Sequence, residues 1–172
     1  AASDAFVTKF SDTTSPTVPT PTIKANGSDG PITVSSSDTV SIDISLDPGE
    51  ETGENADWWI LQMTPDGNLY YFDLGTLSMM AGYAPTLQAG LVSFADIQIL
   101  SLSGLQEGLH FFYFGVDLTM NGDLDIDSLY YDYVQVNVNV GLSGWWDIFI
   151  PSLDSDKIDA MYLTQEGSSL TG

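Results

Sequence analysis

Apolar side chains in this chain recur at every second position, and that period fixes the fold class. Val40, Ile42, Ile44 and Leu46 alternate with Ser41, Asp43, Ser45 and Asp47. Between Gly108 and Asp117, the residues His110, Phe112, Phe114 and Val116 share one face. Val134, Val136, Val138 and Val140 face one way and Gln135, Asn137 and Asn139 the other. Successive side chains of a strand point to opposite faces, so a period of two marks half-buried strands. No long stretch shows the three-to-four-residue repeat of an amphipathic helix. The chain is therefore expected to be all-β.

The remaining strands follow from shorter signals. Ile32-Thr33-Val34 alternates, and Val92 to Leu102 reads as strand. Two aromatic runs, Trp58-Trp59-Ile60-Leu61 and Leu69-Tyr70-Tyr71-Phe72, flank Thr64-Pro65-Asp66-Gly67-Asn68. Asp-Gly between two such runs predicts a hairpin. Leu77 to Gly82 reads as a loop or short helix. About seven strands with frequent turn signals between residues 22 and 140 predict a two-sheet sandwich.

The segments outside this core differ in composition. Residues 1–12 hold one short strand-like run, Ala5-Phe6-Val7-Thr8-Lys9-Phe10. Residues 13–22 are a Thr/Pro-rich spacer with Pro16, Pro19 and Pro21, a composition that favours an extended, stiff chain. Residues 23–140 are the sandwich domain. Residues 141–172 are a C-terminal appendage that opens with Gly141-Leu142-Ser143-Gly144 and the apolar run Trp145-Trp146-Asp147-Ile148-Phe149-Ile150. One more strand is expected within Ile158 to Leu163.

The stretch Gly104 to Asp117, followed by a turn and a valine-rich last strand, resembles the final hairpin of immunoglobulin-like modules in bacterial extracellular and surface proteins. The resemblance spans residues 22–140, without a disulfide or a tyrosine corner. It implies an immunoglobulin-like two-sheet β-sandwich, with an extended N-terminal strand and a C-terminal appendage.

The turn of that hairpin carries the chemistry. Asp117-Leu118-Thr119-Met120-Asn121-Gly122-Asp123-Leu124-Asp125-Ile126-Asp127 places oxygen-bearing side chains at 117, 119 and 121, then Gly122, then 123, 125 and 127. Calcium takes six to eight hard oxygen ligands, and a tightly curled loop supplies them by turning alternate side chains inward. The spacing is similar to the D-x-[DN]-x-[DN]-G calcium loop, with Thr119 at the middle position and Ser128 where a bidentate Glu would stand. Asp117, Thr119, Asn121, Asp123, Asp125 and Asp127 are thus the expected ligands of a Ca2+ ion. An acidic hairpin turn is the plainer alternative, since Asn-Gly is a turn signal by itself. A second acidic loop, Asp47 to Asp57, either completes the same site, forms another, or is simply solvated. Asp147, Asp154, Asp156 and Asp159 form a third, weaker cluster.

Charge narrows the partners. The chain carries 24 acidic residues against Lys9, Lys24 and Lys157, has no Arg, and has a net charge of −21. Three lysines cannot replace the counterions of nucleic acid or hold an anionic membrane surface. No apolar run is long enough for a membrane span. Compact acidic chains repel themselves, and divalent cations would relieve that repulsion. Without Cys, disulfide and thiolate chemistry are excluded. The small residues Ala1-Ala2-Ser3 at the start look like the end left by a signal peptidase, so an extracellular or cell-surface location is expected.

No catalytic constellation stands out, and the chain is not expected to be an enzyme. His110 is the only histidine and sits in an aromatic strand, where packing explains it. Trp58-Trp59 and Trp145-Trp146 each place one ring outward if they lie in strands, as a sugar-stacking surface or as cover for the sandwich. Asn26-Gly27-Ser28 fits a glycosylation acceptor and a turn equally. Two functions follow. One is a structural subunit of an extracellular filament or surface layer, a homo-polymer assembled by strand addition and stabilised by calcium. The other is a secreted, calcium-dependent carbohydrate-binding or adhesion module with a glycan ligand.

Overall fold

The computed structural model describes residues 17–139 and, by backbone alone, three short strands beyond them. The fold is an immunoglobulin-like two-sheet β-sandwich. The smaller sheet has the order β1 (Thr20–Ala25), β3 (Thr39–Asp47), β8 (Phe94–Ser103), all antiparallel. The larger sheet has the order β2 (Ile32–Ser35), β10 (Leu129–Asn139), β9 (Gly108–Asp117), β4 (Asn55–Met63), β5 (Leu69–Asp73), β6 (Ser78–Ala81). Strand β7 (Leu87–Gly90) also pairs with β4, along its first half, while β5 pairs with the second half. A separate three-stranded sheet joins β11 (Gly144–Trp146), β12 (Met161–Glu166) and β13 (Ser169–Thr171).

The alternation read from the sequence builds the core. Val40, Ile42, Ile44 and Leu46 of β3 are buried, as are His110, Phe112, Phe114 and Val116 of β9. Val134, Val136 and Val138 of β10 complete the inner face of the large sheet. Trp58, Phe94 and Phe114 pack with ring centroids 6.0–6.3 Å apart and close one end of the sandwich. A fully buried aliphatic or aromatic side chain contributes about 1.5–3 kcal/mol, so this stripe dominates the stability.

Three local features differ from the sequence reading. The Leu77–Gly82 stretch is mostly strand, since β6 runs Ser78–Ala81; four residues are too few for periodicity to show. Strand β1 takes in Thr20, Pro21 and Thr22 from the Thr/Pro run, pairing Pro21 with Leu46. Proline is tolerated there because β1 is an edge strand. The third difference is β2, which pairs parallel to β10, so the chain changes sheet between β1 and β2. Asn26 (φ 49°) and Gly27 (φ 76°) make that turn, and Asn26 Oδ1 accepts the Ser41 N–H at 2.8 Å. The Asp66-Gly67 hairpin forms as expected, with Gly67 at φ 78°. The expected N-terminal strand at Ala5–Phe10 and the third acidic cluster lie outside the described residues.

Candidate functional site

Strands β4 and β9 pair Asp57 directly with Asp117, and both side chains are fully buried. Two neighbouring buried carboxylates would repel unless donors met them. Donors do. Asp57 Oδ1 accepts from Gln88 Nε2 at 2.7 Å, and Gln88 is its cross-strand partner on β7. Asp57 Oδ2 accepts the backbone N–H of Asn121 at 3.1 Å and of Gly122 at 2.7 Å. Asp117 Oδ1 accepts the N–H of Thr119 at 2.9 Å and the hydroxyl of Ser128. Asp117 Oδ2 accepts the N–H of Asp125 at 2.7 Å. Hydrogen bonds to an ionised acceptor are worth about 1.5–3 kcal/mol each. The two carboxylates therefore act as posts on which the 118–128 loop is hung.

The loop closes around these posts. Asn121 Nδ2 donates to Asp125 Oδ2 at 2.8 Å, and the Asp123 N–H donates to Asn121 Oδ1 at 2.8 Å. Thr119 and Ser128 share a hydroxyl contact at 2.9 Å. Gly122 has φ +87°, the sharp bend that glycine permits.

The six expected calcium ligands therefore separate into different roles. Asp117 is a buried anchor. Asn121 and Asp125 are bonded to each other, and Thr119 is bonded to Ser128. Asp123 and Asp127 stand exposed. Among the described residues no three acidic, histidine or cysteine side chains converge closely enough to hold a metal ion. The crowding that pointed to a cation is met, at Asp57 and Asp117, by N–H and O–H donors.

Asp57 was within reach of sequence reasoning as the end of the second acidic loop, and it does join the 117–127 loop. Gln88 and Ser128 were not, because nothing in the local pattern marks a neutral side chain as the partner of a distant carboxylate.

Beyond the posts, the outer face of the large sheet is aromatic. Trp59 follows Asp57 on that face and pairs with Gly115, which follows back from Asp117. Trp59 is only 2% exposed although it lies outside the sandwich core, so of the two expected roles, sugar platform and cover, it lacks the exposed ring that the platform needs. It lines a cavity of about 340 Å³ with Leu61, Tyr113, Gly115 and the loop residues Leu124 and Ile126. Its buried Nε1–H has no acceptor among the described residues, which costs about 1–3 kcal/mol. Trp58, by contrast, donates its Nε1–H to the Ala89 carbonyl at 3.2 Å. Gly115 is required for the close approach: a Cβ there would lie 2.9 Å from Tyr131 Cβ and 3.0 Å from the Tyr130 carbonyl oxygen.

Farther along the face, Phe111, Tyr113 and Tyr133 hold ring centroids 6.0–6.3 Å apart. Burial, with Tyr131 and Tyr133 nearby, holds the Tyr113 phenol above the usual tyrosine range. His110 is packed as expected, with Nδ1 3.1 Å from Gln62 Nε2 and Nε2 2.7 Å from the Gln106 carbonyl oxygen. Trp145 and Trp146 lie on β11, of which only the backbone is described.

No protein-family model matches the chain, and no curated protein is similar to it at a significant level. Among solved structures, the chain is similar to the CARDB domain of the PF1109 protein from Pyrococcus furiosus, a structure in complex with di-metal ions. The likeness has 14% identity and a TM-score of 0.37, and it covers 72% of this chain and 97% of that one.

Proposed function

We propose that this chain is a non-catalytic structural subunit of an extracellular filament or surface layer, in which neighbouring copies join by strand addition. The observation that carries this reading is the free side of β8. This strand is ten residues long and pairs with β3 alone among the described strands. Proteins usually blunt such an edge with proline, lysine or a short strand. Strand β8 has none of these, although its pairing with β3 is interrupted by two register shifts. Its one charge, Asp96, is tied to Lys24 at 2.6 Å, and that contact holds the Asp96 carboxyl below its usual range. An added strand would continue the small sheet by main-chain hydrogen bonds. The apolar run Ala5–Phe10 on its Thr/Pro spacer is the strand we assign to donation, and head-to-tail donation propagates into a polymer. Calcium would bind the 118–128 loop only by drawing its spread carboxylates, Asp123, Asp125 and Asp127, together; once bound it would stiffen the loop and offset repulsion between acidic subunits.

Electron microscopy and native mass measurement of the full chain, with and without residues 1–12, test this reading. Polymers that form from the full chain and vanish on deletion are the expected result. A monomer at every concentration, in calcium and in chelator alike, would overturn it.

The second reading, a calcium-dependent carbohydrate-binding or adhesion module, draws support from the outer face. Tyr131 and Tyr133 are 57% and 45% exposed beside the Phe111 and Tyr113 rings. Sugar rings stack on such surfaces. Glycan binding that survives deletion of residues 1–12 and fails in Tyr131→Ala would favour it.

A further inference from the structure

The Asn26-Gly27-Ser28 turn holds one group that its fold does not require. Asn26 and Gly27, both at positive φ, are the central residues of a tight turn. The Ala25 N–H donates to the Ser28 carbonyl at 2.9 Å, and the Ser28 N–H to the Ala25 carbonyl at 3.0 Å. Asn26 also carries the β1–β3 ladder one residue further. Its N–H donates to the Ser41 carbonyl at 2.9 Å, and its Oδ1 accepts the Ser41 N–H at 2.8 Å. These contacts account for Asn26 and Gly27. They do not account for a hydroxyl at position 28, because Ser28 enters the turn through its backbone. Its Oγ reaches only Gly30, at the long distances of 3.3 and 3.4 Å. Asn26 is exposed, and its Nδ2 has no partner among the described residues. A Cβ placed on Gly27 would meet no described atom within 4 Å, so the turn points into open space.

We propose that Asn26 carries an N-linked glycan, transferred from a lipid-linked sugar donor, with the Ser28 hydroxyl as the mark of the acceptor. In that step Asn26 Nδ2 bonds to the anomeric carbon of the sugar. The bond from that carbon to the lipid phosphate oxygen breaks, and the phosphate leaves with the electron pair and takes up one amide proton. The product keeps the amide carbonyl, so Oδ1 still accepts the Ser41 N–H and the turn is preserved. The chain's other Asn-Gly pair shows what a purely structural asparagine looks like. Asn121 is followed by Asp123 where a hydroxyl would stand, and both of its amide atoms are engaged, Oδ1 by the Asp123 N–H and Nδ2 by Asp125. No other asparagine of the chain is followed two residues later by Ser or Thr. The assignment rests on the extracellular part of the filament reading, since this acceptor signal belongs to secreted chains. It does not obstruct strand addition. Strand β3 lies between β1 and β8, so Asn26 sits about 10 Å across the sheet from β8, beyond the opposite edge.

The test is peptide mass spectrometry of the full chain recovered from the surface or medium of its source cells, with electron-transfer fragmentation across residues 25–29. A sugar mass on Asn26 is the expected result. Asn26→Gln would remove it but also disturbs the turn, so the decisive variants change Ser28 and leave Asn26 in place. Ser28→Ala, made in the same cells, should lose the sugar, and Ser28→Thr should keep it. Both should melt within a few degrees of the unglycosylated parent chain, because the turn uses only the backbone of Ser28. A surface chain with bare Asn26 would overturn the proposal and leave the filament reading standing, as would a sugar on Asn26 that persists in Ser28→Ala. A chain found only inside the cell, with Asn26 bare, would overturn the extracellular location and the glycan together. A glycosylated chain that stays monomeric would uphold the glycan and sink the filament.

Discussion

Asp57 and Asp117 invert the usual role of buried charge. They do not pair with cations; each gathers backbone N–H groups from a loop that would otherwise have no reason to fold back. Their removal would leave those donors unmet, whereas the exposed Asp123 supports no such network. Asp117→Ala should therefore cost about 2–3 kcal/mol of unfolding free energy, and Asp123→Ala in chelator should change it by less than about 0.5 kcal/mol. Urea denaturation of the two variants beside the parent chain checks this; equal losses would mean that Asp117 is not an anchor. This is also where sequence reading reached its limit. The 117–127 spacing made the aspartates visible, but spacing cannot tell a ligand from a hydrogen-bond acceptor. That distinction depends on where Asp57 and Ser128 fall in space.

Elements were legible in proportion to their length and burial. Strands β3, β9 and β10 are nine to eleven residues long and alternate cleanly, so a periodic signal accumulates. Strands β6 and β7 have four residues each and little buried surface, and their sequences carry no period to read. The face of Trp59 was correctly opposite that of Trp58, but its burial depends on a loop sixty residues away in the chain. The 118–128 loop is also the element on which the calcium reading stands. A site in the range of extracellular modules, filled to ten times its dissociation constant, would stabilise the domain by about 1.4 kcal/mol, or several degrees in melting temperature. Calorimetry in millimolar calcium and in excess EGTA should show that shift, and Asp123→Asn with Asp125→Asn should abolish it. Superimposable melting curves would leave the loop as a hydrogen-bonded turn with no cation.

At the scale of the whole molecule, the two sheets divide the tasks. The large sheet carries the pinned loop and the aromatic face, and the small sheet has a side that no described strand covers. Ile97 on β8 is 51% exposed, so a charge there should leave the subunit folded. Ile97→Lys should therefore block polymer growth while melting stays within a few degrees of the parent, as light scattering and circular dichroism would report. Polymers that grow unchanged would move the junction away from β8.

The parallel pairing of β2 with β10 has a mechanical consequence. Strand β1 begins at Thr20, opposite Asp47, near the end of the sandwich that holds Asp57 and Asp117, and β10 runs from Leu129, opposite Asp117, to Asn139 at the far end. Tension applied between Thr20 and Asn139 thus runs along the strands. It slides β1 against β3 and β2 against β10, so the rungs of each ladder share the load at once instead of peeling one by one. A linear array of such units would resist stretching through geometry, before any contact between copies is counted.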